Sequence, residues 1–330
     1  EPLVLVEKNE LYMFTNGPLG AAIYTENADS GAQSALGLFS EGFKRLRFTK
    51  AVAFDPTGSG KRNHMAILGF YPASGNKNGA AYLYIINADT NTLVKSYELD
   101  KDWFGWIGEL TTVDANNFFA ITAGDYNGDG RDSLVVYCTT FRGDGSNALK
   151  EISFDGKNWS NPVYISVSRK KYMEKELYKS YALCNKLSVA LESGDVNGDG
   201  IDDLVVVSTA NKISDNYAND GAKTATTPMV AVAKGQKGTK NIGELSVQRY
   251  EADTSTCMVT PDVSIGDING DGINEVVVAG VYQVYHDLEP SDKGLVGYWV
   301  LNCEWTPTRI SKEWVLSVDD GEVSAISMGD

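Results

Sequence analysis

The most constraining feature of this chain is a nine-residue loop, rich in carboxylates and glycines, that recurs at a nearly fixed spacing. Residues 195–203 read DVNGDGIDD and residues 267–275 read DINGDGINE, so both follow the pattern D-x-N-G-D-G-x-x-[DE]. A third copy, residues 125–133, reads DYNGDGRDS and ends in serine. Each copy runs directly into a stretch rich in valine, which favours a β-strand. The loops are therefore expected to open strands, not helices.

The spacing of oxygen-bearing residues predicts one calcium site in each of these three loops. Oxygen ligands at positions 1, 3, 5 and 9, with a backbone carbonyl at position 7, can surround a single Ca²⁺. The predicted ligands are Asp125, Asn127, Asp129, Arg131 and Ser133; Asp195, Asn197, Asp199, Ile201 and Asp203; and Asp267, Asn269, Asp271, Ile273 and Glu275. An EF-hand would also need an acid at position 12 and a following helix. Valine occupies position 12 in all three loops. A metal-free hairpin turn is the alternative, and three copies argue against it.

A fourth, altered copy lies upstream at residues 55–63, which read DPTGSGKRN. It lacks the acid at position 5 and carries Lys61 and Arg62, so we expect it to bind calcium poorly. The first residues of the four copies are 55, 125, 195 and 267, which gives steps of 70, 70 and 72 residues. A period of this length, built from strands and turns, is typical of propellers and β-solenoids. Runs such as 204–207 are apolar on both faces, as expected for strands that lie between neighbouring sheets.

With these motifs the chain resembles the FG-GAP or VCBS repeat and is similar to the repeats of the integrin α-chain N-terminal propeller. The resemblance covers roughly residues 45–330. It implies an all-β fold, a β-propeller of four-stranded antiparallel blades, with calcium bound between the first two strands of a blade. Propellers of that family typically have seven blades. This chain holds about four full repeats plus edges, so it is either a fragment or closes in another way.

We predict a single repeat array over residues 1–330, because no linker rich in proline or serine separates the repeats. The expected division is outer strands of a partial blade in 1–49, repeats near 50–119, 120–189, 190–261 and 262–324, and the start of a further repeat in 325–330. Residues 210–227, rich in Asn, Ala, Thr and Asp, are expected to form a flexible loop.

Charge and composition restrict the partners and the location of the protein. The formal net charge is −15 and no basic face is evident, which argues against nucleic acid. The sequence contains no run of about 18 apolar residues, so it predicts no membrane span. Extracellular calcium is abundant enough to fill weak sites. In a cytosol poor in calcium the loops would stand empty, and their crowded carboxylates would repel each other. We therefore expect an extracellular protein, secreted or displayed on a cell surface. The pairing of Cys138, Cys184, Cys257 and Cys303 stays open, since none shows C-x-x-C spacing.

The sequence predicts recognition more readily than catalysis. The only histidines are His64, expected at the surface, and His286, expected where a strand ends. No G-x-S-x-G nucleophile elbow occurs, although a glycosidase-type carboxylate pair stays open. Trp103, Phe104 and Trp106 could stack on a sugar or a protein partner, or could pack between blades. We predict a calcium-stabilised propeller that binds a protein or glycan. The alternative is a secreted carbohydrate-active enzyme, such as a polysaccharide lyase, or its propeller domain.

Overall fold

The structure, a computed structural model, is built from β-strands joined by turns. It describes the backbone of residues 3–7, 10–17, 20–27, 33–38, 47–71, 80–90, 92–99, 119–138, 149–165, 189–212, 225–243, 246–249, 256–286, 289–302 and 308–318. Side chains are described for residues 50–69, 81–90, 92–99, 119–137, 149–165, 189–207, 230–243 and 262–280. Within these ranges, twenty strands form five four-stranded sheets.

Every sheet is a meander in which strands consecutive in the chain are neighbours. The first contains β1 (Leu3–Glu7), β2 (Glu10–Gly17), β3 (Gly20–Asn27) and β4 (Gln33–Leu38). The second contains β5 (Arg47–Phe54), β6 (His64–Tyr71), β7 (Ala80–Asn87) and β8 (Thr92–Leu99). The third contains β9 (Phe119–Gly124), β10 (Ser133–Cys138), β11 (Leu149–Ile152) and β12 (Val163–Tyr164). The fourth contains β13 (Val189–Gly194), β14 (Asp203–Lys212), β15 (Ala225–Ala233) and β16 (Ser246–Arg249). The fifth contains β17 (Thr256–Gly266), β18 (Glu275–His286), β19 (Glu289–Asn302) and β20 (Thr308–Val318).

The prediction of an all-β fold with four-stranded antiparallel sheets is confirmed. Pairing is antiparallel throughout the first, second, fourth and fifth sheets and between β10 and β11. The strands predicted after the three acidic loops are also present. Position 9 of each loop is the first residue of β10, β14 or β18, so the loop passes directly into the sheet.

Two compact units are formed by the chain. The first comprises Glu1–Ala123, Gly130–Gly143 and Asn147–Pro162, and the second comprises Gly124–Asp129, Asp144–Ser146 and Val163–Asp330. In the second unit, the fourth and fifth sheets share a buried core of small branched side chains. Its members are Ala190, Val196, Val205, Val207, Val230, Val232, Val263, Val276 and Val278. Burial of each valine contributes about 1.5 kcal/mol or more, so this core anchors the strands on both sides of the loops.

Two segments differ from the sequence-based expectation. Residues 3–38, expected as outer strands of a partial blade, form a four-stranded sheet of their own. Within residues 210–227, expected as a flexible loop, both ends are strand. Ala210 pairs with Thr227 and Lys212 with Ala225, which extends the β14–β15 hairpin. Polar composition suggested a loop there, but cross-strand pairing overrides composition when the neighbouring strand is already in register.

Candidate calcium loops

The four repeated loops occupy equivalent places in four sheets. We call them the Asp55, Asp125, Asp195 and Asp267 loops, for residues 55–63, 125–133, 195–203 and 267–275. Each connects the first strand of its sheet to the second, namely β5 to β6, β9 to β10, β13 to β14 and β17 to β18. The sequence period therefore corresponds to one loop for each of these four sheets.

Glycines at positions 4 and 6 give all four loops the same backbone. Their φ angles are 71° and 73° in the Asp55 loop, 66° and 83° in the Asp125 loop, 77° and 80° in the Asp195 loop, and 76° and 85° in the Asp267 loop. Side chains larger than glycine rarely adopt these left-handed angles. The glycines bend the backbone so that N–H groups point back at the first residue of the loop.

The carboxylate at position 1 collects these N–H groups. In the Asp195 loop, Oδ1 of Asp195 accepts from the backbone N of Gly198 at 2.7 Å, and Oδ2 accepts from the backbone N of Gly200 at 2.7 Å. In the Asp267 loop, the corresponding bonds from Gly270 and Gly272 are 2.7 and 2.8 Å long. The bonds from Gly272 and its neighbours lower the pKa of Asp267 below its usual value. The ionised form of the Asp267 carboxylate is therefore favoured, and in both loops the side chain at position 1 is turned into the loop.

Positions 3 and 5 repeat the same pattern. In the Asp195 loop, Asn197 Oδ1 accepts from the N of Asp199 at 3.0 Å, and Asp199 Oδ1 accepts from the N of Ile201 at 2.9 Å. The Asp267 loop has the same two bonds, at 2.9 and 2.8 Å. Oxygen atoms of alternate residues thus sit close to the turn, which is the arrangement that a hard cation requires.

Position 9 carries a buried acid that fastens the loop to the sheet. Asp203 is fully buried, and its carboxylate accepts from the N of Val196 at 3.2 Å and from the N of Gly235 at 2.8 Å. Lys234 Nζ lies 3.7 Å from Asp203 Oδ2. Burial raises the pKa of Asp203 to about 6, although Lys234 and the two backbone donors oppose this shift.

Glu275 plays the same part in the Asp267 loop. It is 2% exposed, and it accepts from the N of Ile268 at 3.0 Å and from Asn269 Nδ2 at 2.9 Å. Position 9 therefore ties together positions 2 and 3 of its own loop. A bound cation would share this carboxylate with protein donors, which is feasible because a carboxylate offers about four lone-pair sites.

The Asp125 loop is less acidic at its end. Asp125 Oδ1 and Asn127 Oδ1 both accept from the N of Asp129, at 3.1 and 2.9 Å. Position 9 is Ser133, which is buried at 7% exposure. The side chains at positions 1, 3 and 5 match those of the other loops, but position 9 offers a hydroxyl in place of a carboxylate.

The donor chemistry of the three acidic loops fits calcium. Carboxylates, an amide oxygen and a backbone carbonyl are the hard ligands that Ca²⁺ prefers. Among the side chains that the structure describes, no three drawn from His, Cys, Asp and Glu are gathered as a metal centre. Each loop combines its acids with Asn127, Asn197 or Asn269 and with a backbone carbonyl. The calcium sites therefore remain a prediction from donor type and loop geometry.

The sequence reasoning missed the role of position 8, where the side chain contacts the preceding repeat. Asp202 Oδ2 accepts from the backbone N of Asp125 at 2.9 Å, and the N of Asp202 donates to the carbonyl of Asp125 at 3.2 Å. Asp132 makes the same pair of bonds with Asp55, both 2.8 Å long. Asn274 Nδ2 donates to the carbonyl of Asp195 at 2.7 Å. A polar residue at position 8 of all three loops was the signal available in the sequence.

The Asp55 loop satisfies its first carboxylate without acids at positions 3 and 5. Thr57 Oγ1 donates to Asp55 Oδ1 at 2.7 Å, and Ser59 Oγ lies 3.2 Å from Asp55 Oδ2. The N of Lys61 donates to Asp55 Oδ2 at 3.1 Å. Burial alone would raise the pKa of Asp55, but the bonds from Thr57, Gly60 and Lys61 lower it overall.

One sequence-based expectation about the possible catalytic residues is wrong. His64, expected at the surface, is 6% exposed. Its Nδ1 lies 2.8 Å from Asn63 Oδ1, and its ring meets that of Phe54 edge to face at 6.0 Å. Because His64 is the first residue of β6, the strand carries it into the sheet. His286 ends β18, as predicted.

The predicted ligand contacts lie outside the described residues. These are Trp103, Phe104 and Trp106. Cys184 and Cys303 also lie outside them, and no disulfide pairing is assigned. In the portion of the chain covered by the structure, no helix is long and apolar enough to cross a membrane.

Comparison with known proteins gives only distant likenesses. No known protein family and no curated protein matches the chain. Among solved structures it is similar to a variant of the Aleuria aurantia lectin in complex with alpha-methyl-L-fucoside, with 10% identity, 94% of this chain and 76% of that chain covered, and a TM-score of 0.45. It is similar to polysaccharide lyase Uly1, with 11% identity, coverages of 99% and 74%, and a TM-score of 0.44. It is also similar to the β-propeller domain of the Trilobed protease from Pyrococcus furiosus, with 8% identity, coverages of 93% and 77%, and a TM-score of 0.35.

Proposed function

We propose that this chain is a calcium-stabilised β-propeller module of an extracellular protein, and that it recognises a protein or glycan ligand. The observation that carries the proposal is the shared geometry of the Asp125, Asp195 and Asp267 loops. Each holds Asp, Asn and Asp oxygens at alternate positions of a glycine-framed turn between two strands. Calcium would join these oxygens and neutralise part of the net charge of −15.

The propeller architecture is supported by the sheets themselves. Propeller blades are four-stranded sheets, and each of the five sheets here has four strands in meander order. The shared valine core of the fourth and fifth sheets shows sheets packed against each other, as blades require. The repeat period of 70 to 72 residues leads us to place the protein among FG-GAP or VCBS repeat proteins.

Calcium binding is the part to test first. Isothermal titration of the metal-free full chain with CaCl₂ should show about three sites, and titration with MgCl₂ should show much weaker binding because Mg²⁺ demands a stricter octahedral geometry. Asp199→Ala removes the position-5 ligand of one loop and should remove one site. Ser59→Ala, at the same position of the Asp55 loop, is the matched control and should leave the stoichiometry unchanged. A wild-type chain that takes up no calcium would sink the proposal.

The recognition role is tested separately. A glycan-array screen of the full chain, run with calcium and with EDTA, should give binding that depends on calcium. A double variant of the predicted aromatic contacts, Trp103→Ala with Trp106→Ala, should lose binding while keeping its calcium stoichiometry. If the array is blank, a pull-down against extracellular matrix proteins decides between a protein ligand and none. Cleavage of a bound polysaccharide by the chain would instead support the alternative that it is a carbohydrate-active enzyme.

A further inference from the structure

The position-8 contacts link each acidic loop to the one before it. We call a contact between position 8 of one loop and the position-1 backbone of the preceding loop a clasp. The Asp202–Asp125 clasp and the Asn274–Asp195 clasp both lie within the second unit. The two partners are 77 and 79 residues apart in the chain. Each clasp thus holds the residue that supplies the first predicted ligand of the neighbouring loop.

The Asp202–Asp125 clasp is tightly built. The side chain of Asp202 and its backbone N together bind both backbone polar groups of Asp125. A Cβ added to Gly124 would lie 2.9 Å from Asp202 Oδ2 and 3.0 Å from Asp202 Cβ. A side chain at position 124 would force Asp202 or Ser193 to shift, so the backbone beside Asp125 packs closely against Asp202. Rotation of the Asp125 backbone away from its observed position would break two hydrogen bonds.

Position 8 is also fixed by its own loop. Asp202 stands between Ile201, whose carbonyl is a predicted ligand, and Asp203, whose buried carboxylate ties the Asp195 loop together. An ion in the Asp195 loop would order positions 7 and 9 and therefore the residue between them. That residue in turn orients Asp125, whose carboxylate is a predicted ligand of the next ion.

We propose that the clasps couple the calcium sites, so that filling one loop raises the affinity of the preceding loop. Asp202 and Asn274 act as positioning residues for the Asp125 and Asp195 sites. The inference rests on the calcium binding proposed above. Thermodynamic linkage makes the coupling reciprocal, so calcium in the Asp125 loop also raises the affinity of the Asp195 loop. Coupled sites of this kind typically change affinity by about 5- to 150-fold.

Tyr126 provides a spectroscopic probe for an ion in the Asp125 loop. It stands at position 2 of that loop, whereas Val196 and Ile268 occupy position 2 of the other two. Terbium, a hard cation that replaces calcium, luminesces when a nearby tyrosine transfers excitation to it. The Tyr126 hydroxyl also hydrogen-bonds the Ser193 hydroxyl, two residues before Asp195. The part of the terbium signal that Asp129→Ala removes is therefore assigned to the Asp125 loop, and calorimetry with CaCl₂ reports all sites. Tyr126→Leu should abolish most of the terbium signal, which verifies its origin.

Three variants test the coupling. Asp202→Ala removes the acceptor for the N–H of Asp125 and should weaken terbium binding at the Asp125 loop roughly tenfold. Asp202→Asn keeps an acceptor oxygen and should restore affinity to within about threefold, since neutral hydrogen bonds are weaker than charge-assisted ones by a small factor. Asp199→Ala, which removes a ligand from the Asp195 loop only, should also weaken the Asp125 loop.

The outcomes separate this inference from the proposed function. Weaker terbium binding in Asp202→Ala and Asp199→Ala, with recovery in Asp202→Asn, supports coupling. Terbium affinity equal to wild type in both Asp202→Ala and Asp199→Ala overturns the coupling and leaves the calcium sites standing. A wild-type chain without calcium binding overturns both. Should Asp202→Ala fail to fold, the Asp199→Ala titration still decides, because independent sites predict no change in terbium affinity at the Asp125 loop in that variant.

Discussion

The Asp55 loop and the Asp195 loop have similar glycine φ angles at positions 4 and 6, but different side chains lie beside the first carboxylate of each loop. In the Asp55 loop, the hydroxyls of Thr57 and Ser59 donate to the first carboxylate. In the Asp195 loop, the equivalent positions are Asn197 and Asp199. Their side-chain oxygens accept hydrogen bonds from the backbone and do not donate to the first carboxylate. In the Asp55 loop, hydroxyl groups donate to the first carboxylate. In the Asp195 loop, the side chains at positions 3 and 5 add acceptor oxygens that a cation could bind.

The comparison shows that the glycine φ angles of this turn do not depend on which side chains occupy positions 3 and 5. Both loops join the first two strands of their sheets, and both place glycines with φ between 71° and 80° at positions 4 and 6. Under the proposed function, calcium would add stability to a turn that the backbone already favours. Calcium dependence should then be confined to the acidic loops, and the following experiments probe that division.

Removal of calcium should have the largest effect. If each site binds with a Kd of about 10 μM, then 1 mM calcium stabilises the fold by roughly 2.7 kcal/mol per site. Three sites together approach the whole stability of a typical domain. We expect EDTA to lower the melting temperature by roughly 10 °C or more, as measured by differential scanning calorimetry. Excess CaCl₂ should restore it, and an unchanged melting temperature would contradict the comparison.

A single ligand substitution should distinguish the two loops directly. Asp199→Ala should lower the free energy of unfolding by about 2 to 3 kcal/mol in 1 mM calcium, since one site is lost. In EDTA the same substitution should change little. Ser59→Ala should cost about 1 kcal/mol in both buffers, because it removes a hydrogen bond and no ion. Urea unfolding with and without calcium measures both. If the loss of unfolding free energy depended on calcium equally in the two variants, calcium dependence would not be confined to the acidic loops.

Converting the Asp55 loop sharpens the comparison further. Thr57→Asn with Ser59→Asp recreates the Asn and Asp of the acidic loops at positions 3 and 5. In EDTA this double variant should lose about 1 to 2 kcal/mol of stability, because two hydroxyl donors are replaced by a new charge beside Asp55. Calcium should recover part of that loss, and calorimetry should show an additional weak site. Recovery with magnesium but not calcium would argue against the assigned geometry.

The smallest effect concerns pH, through His64 beside the Asp55 loop. Burial lowers the pKa of His64, and the charges of Asp55 and Asp89 offset this only in part. The unfolded chain then binds more protons than the folded chain once the pH falls below about 6.5. The His64 contribution to stability should fall by less than about 1 kcal/mol between pH 7 and pH 5.5, while Asp203, whose pKa is raised to about 6, contributes in the opposite direction. Denaturant titration of wild type and His64→Gln should show a smaller loss in the variant; an equal loss would exclude His64 as the cause.

Local patterns in the sequence predict the strands and the loops. The glycines at positions 4 and 6 and the valine runs of β14 and β18 act over a few residues, so turn and strand could be predicted without knowing the fold. The burial of Val205 and Val276 on packed sheet faces also agrees with the apolar runs. These features need no information from distant parts of the chain.

The contacts that complete the site depend on distant residues, and the sequence could not supply them. The donor from Gly235 to Asp203 lies 32 residues away, and the clasp on Asp125 lies 77 residues away. His64 was expected at the surface because it follows the altered loop at 55–63, but its place at the start of β6 buries it. A period in the sequence shows which residues are equivalent, and only the packing of the sheets shows which of them touch.

The shared glycine frame also has a consequence for how such arrays diverge after duplication. Since the backbone of the turn is set at positions 4 and 6, a repeat could acquire or abandon an ion through changes at positions 3, 5 and 9. Neither the strands nor the spacing of the copies has to alter. Individual repeats are thus free to specialise, some as inert spacers and others as responsive elements, within one unchanging architecture.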